Sequence, residues 1–187
     1  RYAAASGARA LVLVPVNDGS GRGDRERTPR LRRALEGLQP ILAGHGLLGR
    51  VEPLGFVTSS LRSKREAAVA IEAVGEQGTF RLVHDTFHHA LAGEPDRFPA
   101  LTGLVHISGV REVTVPVAEL RDAHRVLVEA GDRLDTVRQV AELAAGGYDG
   151  PFSFEPFAAE VQALADPRPA LAASIAHIRH RLATQAP

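Results

Sequence analysis

The sequence predicts an α/β protein, a parallel sheet whose strands alternate with helices. Short apolar runs alternate with stretches of helical periodicity along the 187 residues. The first of these runs is continuous rather than alternating, the pattern of a strand buried on both faces. The ionisable residues of the later runs gather at their carboxyl ends, where parallel sheets and barrels carry their sites.

The first strand is read over residues 10–16, where only Pro15 interrupts an aliphatic run. A polar loop rich in glycine and arginine follows over residues 17–28. Pro29 then opens a helix with Leu31, Ala34, Leu35 and Leu38 on one face. The second strand covers residues 48–53 and the third residues 80–85. Between them residues 66–74 form a helix that aligns Ala67, Ala70, Ile71 and Val74. The fourth strand is residues 104–107. A helix over residues 134–143 is closed by Gly146-Gly147, the usual C-terminal stop. The fifth strand is residues 151–155, and residues 171–182 form a last amphipathic helix. No internal repeat or second composition is visible, so residues 1–187 read as a single domain.

Composition narrows the function. Lys and Arg number 22, as do Asp and Glu, so no basic surface points to nucleic acid. Cysteine is absent, which removes disulfides, thiolate ligands and thiol nucleophiles. Any metal must therefore sit on His, Asp or Glu. No apolar run reaches membrane-spanning length, and the start Arg1-Tyr2-Ala3-Ala4-Ala5 lacks a signal-peptide layout. Cytoplasm is the default location. Methionine is absent altogether, and Lys64 is the one lysine, which reads as a coding bias.

Each of the last four strands ends in a potential metal ligand: Glu52, Asp85, His106 and Glu155. One such residue alone would be a strand end meeting solvent. Four together, on strands otherwise nearly free of charge, point to a hard, oxygen-rich site suited to Mn²⁺, Mg²⁺, Co²⁺ or Zn²⁺. Pro53 and Pro156 follow the two glutamates and stop the ladder there, since proline has no N–H to give. In Asp85-Thr86-Phe87-His88 the histidine falls in the following loop, able to bind a substrate hydroxyl or polarise a carbonyl, with Phe87 as a wall. Strand alternation turns His84 away from the site, as a structural residue. His89 reads as a packing or surface histidine. The segment Gly19-Ser20-Gly21-Arg22-Gly23 lacks the Lys-Ser/Thr of a phosphate loop and reads as a surface loop. The arginines over residues 22–33 are interleaved with Asp24 and Glu26, a solvated face. Arg22 and Arg25 are the first candidates to contact a phosphorylated substrate.

These residues resemble the xylose-isomerase-like TIM-barrel family, and within it the inosose (2-keto-myo-inositol) isomerases and ketose 3-epimerases. The resemblance rests on Leu82-Val-His-Asp-Thr-Phe-His88, on Val105-His-Ile-Ser-Gly109 and on Gly147-Tyr-Asp-Gly-Pro-Phe-Ser-Phe-Glu155. Asp122-Ala-His-Arg-Val126, followed by Gly131-Asp132, is similar to the loop whose arginine contacts substrate, which nominates Arg125. The resemblance implies a (β/α)8 TIM barrel of which this chain covers about strands 4 to 8. It implies one divalent metal ion on Glu52, Asp85, His106 and Glu155, with the two glutamates also serving as the acid/base pair. His88 and Arg125 would bind substrate, a small sugar or cyclitol. The implied activity is a metal-dependent isomerase acting on a keto-inositol or ketose through an enediolate; a ketose 3-epimerase and a non-catalytic sugar-binding barrel are the alternatives. An apurinic endonuclease of the same fold would need more ligands and a basic groove. Neither nucleic acid nor membrane is expected as a partner, and a homo-oligomer is left open. Five strands do not close a barrel of eight, so three further βα units before Arg1, or a second chain, are expected to complete it.

Overall fold

The computed structural model describes residues 1–20, 25–75 and 78–185. Five parallel strands, β1 (Ala10–Leu13), β2 (Leu48–Val51), β3 (Phe80–Asp85), β4 (Thr102–Ile107) and β5 (Phe152–Phe154), pair in the order of the sequence. They form a partial barrel with β1 and β5 at its edges. The helices are α1 (Tyr2–Ala5), α2 (Arg27–Ala43), α3 (Lys64–Val74), α4 (Thr86–Ala92), α5 (Thr136–Ala145), α6 (Ala159–Gln162) and α7 (Arg168–Gln185).

Local chemistry sets the helix ends. Ser63 caps α3 by accepting a hydrogen bond from the Glu66 amide at 3.1 Å. After α5 the chain reverses at Gly147, whose φ of 90° suits a residue without Cβ, and the Tyr148 amide closes on the Leu143 carbonyl. Behind β1 to β3, Val51, Phe80 and Leu82 pack against Leu35 and Leu42 of α2 and Ala67 and Ile71 of α3. Behind β4 and β5, Val105 and Ile107 pack against Val137, Val140 and Leu143 of α5 and Ile178 of α7. A third cluster, Phe56, Phe87, Leu91, Val110, Leu120 and Leu134, lies among the connections that leave the carboxyl ends of the strands.

Two expectations change. The first strand is shorter than residues 10–16: β1 ends at Leu13 and pairs only with β2 among the described residues. The segment after Asp85 is not a loop: helix α4 starts at Thr86 with no connecting residue.

Behind β3, Lys64 is buried with its Nζ 2.8 Å from His84 Nδ1. Burial lowers its pKa from 10.5 to about 7. Between those two values the unfolded chain holds a proton that the folded chain does not, so stability rises with pH there and is level below. We expect the native chain to gain stability over Lys64→Met from about pH 7 to about pH 9.5, with a limiting slope of about 1.4 kcal/mol per pH unit. Urea denaturation of both proteins across that range measures it; parallel pH dependences would show that the amine is not held dry.

Candidate metal centre

Four strand ends deliver four side chains to one place. The backbone ladder runs one residue past two strands: the Glu52 amide donates to the Leu13 carbonyl and the Glu155 amide to the Ile107 carbonyl, each at 3.0 Å. Pro53 and Pro156 then end it. In the β3–β4 register Asp85 is paired with His106, so their side chains emerge beside each other on one face. The His106 Nδ1 lies 2.9 Å from Glu52 Oε1, 3.3 Å from Glu155 Oε2 and 4.0 Å from Asp85 Oδ2. Glu52, Asp85 and His106 are buried and Glu155 is partly exposed, which gives the centre one open side.

Arg125 is built into the same centre. The connection after β4 returns to the sheet through a reciprocal pair of backbone hydrogen bonds between Gly109 and Val126. That brings the guanidinium, 1% exposed, to Asp85 Oδ2 at 2.6 Å and Glu155 Oε2 at 2.8 Å through one nitrogen, Nη2. Nη1 donates to Asp122 at 3.2 Å and Nε to the Ser108 hydroxyl at 3.1 Å. The rings of Phe87 and Phe157 lie 5.0 and 4.9 Å from the guanidinium carbon, a cation–π sandwich. Phe157 and Ser108 had no place in the sequence reading of the site. The only signals were position, one residue past Glu155-Pro156 and two past His106.

The charges explain the protonation states. Burial alone works against charging His106, but hydrogen bonds to Glu155 and Glu52 outweigh it and lift the ring to about 10. Burial pushes the Glu52 carboxyl up, aided by the negative charges of Asp85 and Glu155 and opposed by His106. Glu155 goes the other way: burial would raise it, yet His106 and Arg125 hold it well below the ordinary carboxylate range.

His88 sits at the first turn of α4. Its amide donates to Asp85 Oδ1 at 2.8 Å, and its ring packs edge-on against Phe56 and Phe87. The ring is nearly buried, its Nδ1 has no protein partner, and burial depresses its pKa. His84 points to the opposite face of β3, between Lys64 and Gln139. His89 is a buried packing residue 4.8 Å from the His84 ring, and burial takes its pKa down to about 3. Arg25 is exposed, and Arg22 lies outside the described residues. A cavity of about 520 Å³ opens elsewhere, between β1 and α2, lined by Val14, Val16, Leu31 and Leu35 and by none of the four strand-end ligands.

The donor set suits a divalent cation. Ligand atoms of Glu52, Asp85, His106 and Glu155 all lie within 4.8 Å of one another. Three carboxylates converge on a single ring nitrogen, and the proton that nitrogen carries is what a cation would replace. The four residues therefore form a group able to hold a metal ion.

The family model described as xylose isomerase-like TIM barrel matches residues 1–181, and the chain belongs to that family. Among solved structures, a xylose isomerase domain containing protein from Salmonella typhimurium LT2 is 33% identical over 97% of this chain and 65% of its own, with a TM-score of 0.81. An IolI protein, solved with a binding zinc atom, is 19% identical over 94% of this chain and 64% of its own, with a TM-score of 0.80. D-psicose 3-epimerase from Clostridium cellulolyticum H10, solved with D-tagatose, is 16% identical over 96% of this chain and 66% of its own, with a TM-score of 0.66. The last two share the fold with this chain. The chain thus spans about 65% of the length of these three structures. No curated protein matches it by sequence. No helix among the described residues is long and apolar enough to cross a membrane.

Proposed function

We propose that this chain is a single domain, the C-terminal part of a xylose-isomerase-like barrel, and carries the metal and proton-transfer centre of a cytoplasmic sugar or cyclitol isomerase. The observation that carries the reading is the convergence of Glu52, Asp85, His106 and Glu155 from four successive strands on one point. The fold shared with an IolI protein that binds zinc and with a ketose 3-epimerase supports it. The four residues would hold one divalent ion (Mn²⁺, Mg²⁺, Co²⁺ or Zn²⁺), which supplies Lewis-acid polarisation of a substrate carbonyl.

The remaining work falls to the chain. Glu155, on the open side of the centre, takes the proton from the carbon next to the carbonyl. The electron pair left behind forms the carbon–carbon double bond while the carbonyl π pair moves onto oxygen, giving the enediolate. The proton is returned to the other face of the same carbon, or to the former carbonyl carbon as the hydroxyl proton passes between the two oxygens. Glu52, across His106 from Glu155, is the second acid/base group. Arg125 and His88, both tied to the centre through Asp85, would bind a polyhydroxy substrate. The phenyl ring of Phe157 shields the guanidinium from water on one side.

The test is a panel of keto-inositols and ketoses incubated in D₂O with the Mn²⁺-loaded protein and followed by NMR. The expected result is deuterium entering beside a carbonyl, the position of the label separating 1,2-isomerisation from 3-epimerisation. Binding of a sugar without exchange anywhere in the panel would favour the non-catalytic barrel and sink the proposal.

A further inference from the structure

All but one of the 22 basic positions in this chain are arginine. The exception, Lys64, is not on the surface: it is 3% exposed at the start of α3. Its Nζ lies 2.8 Å from Nδ1 of His84, a fully buried ring that immediately precedes Asp85 on the opposite face of β3. The other ring nitrogen, Nε2, lies 2.9 Å from Oε1 of Gln139 on α5.

The direction of these bonds is determined. The Gln139 Nε2 donates to the carbonyls of Thr86 and Leu134, at 3.1 and 2.8 Å. The reversed amide would set an oxygen against two carbonyl oxygens, so Oε1 faces His84 and accepts. Nε2 of His84 must then carry the ring proton, Nδ1 presents its lone pair, and the Lys64 amine donates to it. From Thr86 the line continues. Its hydroxyl donates to the Ser108 carbonyl at 3.2 Å and accepts from the Ser108 amide at 3.3 Å. Thr136 donates to the same carbonyl at 3.0 Å, and the Ser108 hydroxyl accepts from Arg125 Nε. Every residue in this line is buried. The line ends on the guanidinium that binds Asp85 and Glu155.

We propose that Lys64, His84 and Gln139 are positioning residues for the metal centre, the start of a hydrogen-bonded line that holds the β3–α4 junction and the end of β4 where Asp85, His106 and Arg125 meet. The proposal rests on reading that centre as a metal site. It also accounts for the lone lysine. One lone pair in a closed space takes a compact ammonium or amine, and the planar fork of a guanidinium does not fit it.

Three measurements on the chain test the proposal. The metal-free protein should show the Nε2–H tautomer of His84 in ¹⁵N spectra. Lys64→Met should keep that tautomer, which Gln139 fixes, but move the His84 Nδ1 resonance, which loses its donor, and the Arg125 Nε–H resonance, and Lys64→Arg should not restore either. Mn²⁺ affinity, measured calorimetrically, should fall about tenfold or more in Lys64→Met and in Gln139→Glu, as for other partners behind metal ligands. Val140→Ala, a buried change on the same helix, should lower the melting temperature without moving the Arg125 resonance or the affinity. An Nδ1–H tautomer in the native chain, or native Mn²⁺ affinity with an unshifted Arg125 signal in Lys64→Met, would overturn the proposal. A native chain that binds no Mn²⁺ while the Arg125 shift persists would sink the metal reading and leave the hydrogen-bonded line standing.

Discussion

Replacing Glu155 by glutamine is expected to leave the fold intact and to lower turnover of the proposed reaction by about 10²- to 10⁴-fold. The amide keeps the shape of the side chain and an oxygen for the Arg125 Nη2 bond, 2.8 Å in the native protein. It cannot take a proton from carbon. Mn²⁺ should still bind, more weakly, because Glu52, Asp85 and His106 keep their donors. Calorimetry and deuterium exchange on one preparation would separate the two effects. Near-native exchange in Glu155→Gln would show that the base is another group.

Removing the charge of Arg125 is expected to be the most damaging change to stability, about 3–5 kcal/mol for Arg125→Leu in the metal-free protein. The Asp85 side chain is fully buried and loses its 2.6 Å partner, and Glu155 loses one of its two counter-charges. An isolated buried carboxylate is far costlier than the lost hydrogen bond. A cation at the same carboxylates would compensate, so Mn²⁺ should raise the stability of the variant by more than that of the native chain. Urea denaturation with and without Mn²⁺ reads both quantities. A loss under about 1 kcal/mol, with no added benefit from Mn²⁺, would mean that Arg125 does not balance the centre.

The sheet and the convergence of its polar ends were legible because both follow from pattern. Short strand-like runs closed by Glu-Pro, as at Glu52-Pro53 and Glu155-Pro156, state where a strand stops and what stands at its rim. His84 could be turned away from the site by alternation alone, and it does lie behind the sheet. Helix α4 was not legible. Seven residues give barely two turns of periodicity, and its start, Thr-Phe-His-His, is poor in helix formers. Its one cue was Asp85 three residues before His88, an N-cap spacing that was read as chemistry instead. The end of β1 at Leu13 was hidden because the aliphatic run continues past it through Val14 and Val16. Arg125 was singled out by resemblance, but nothing in its neighbourhood along the chain announces that it reaches Asp85, forty positions earlier.

Asp85 divides its two oxygens between different tasks. Oδ1 holds the amide of His88 at the head of α4, while Oδ2 takes Arg125 and faces His106. The two oxygens share one delocalised charge, so whatever draws density toward Oδ2 loosens the hold of Oδ1 on that amide. Events at the centre are thereby transmitted to the first turn of a helix, and from there to the ring of His88 and to that of Phe87, which lies against Arg125. The backbone hydrogen of His88 becomes a built-in gauge of occupancy: its exchange with solvent should change when the centre fills, with no segment of the chain having to relocate.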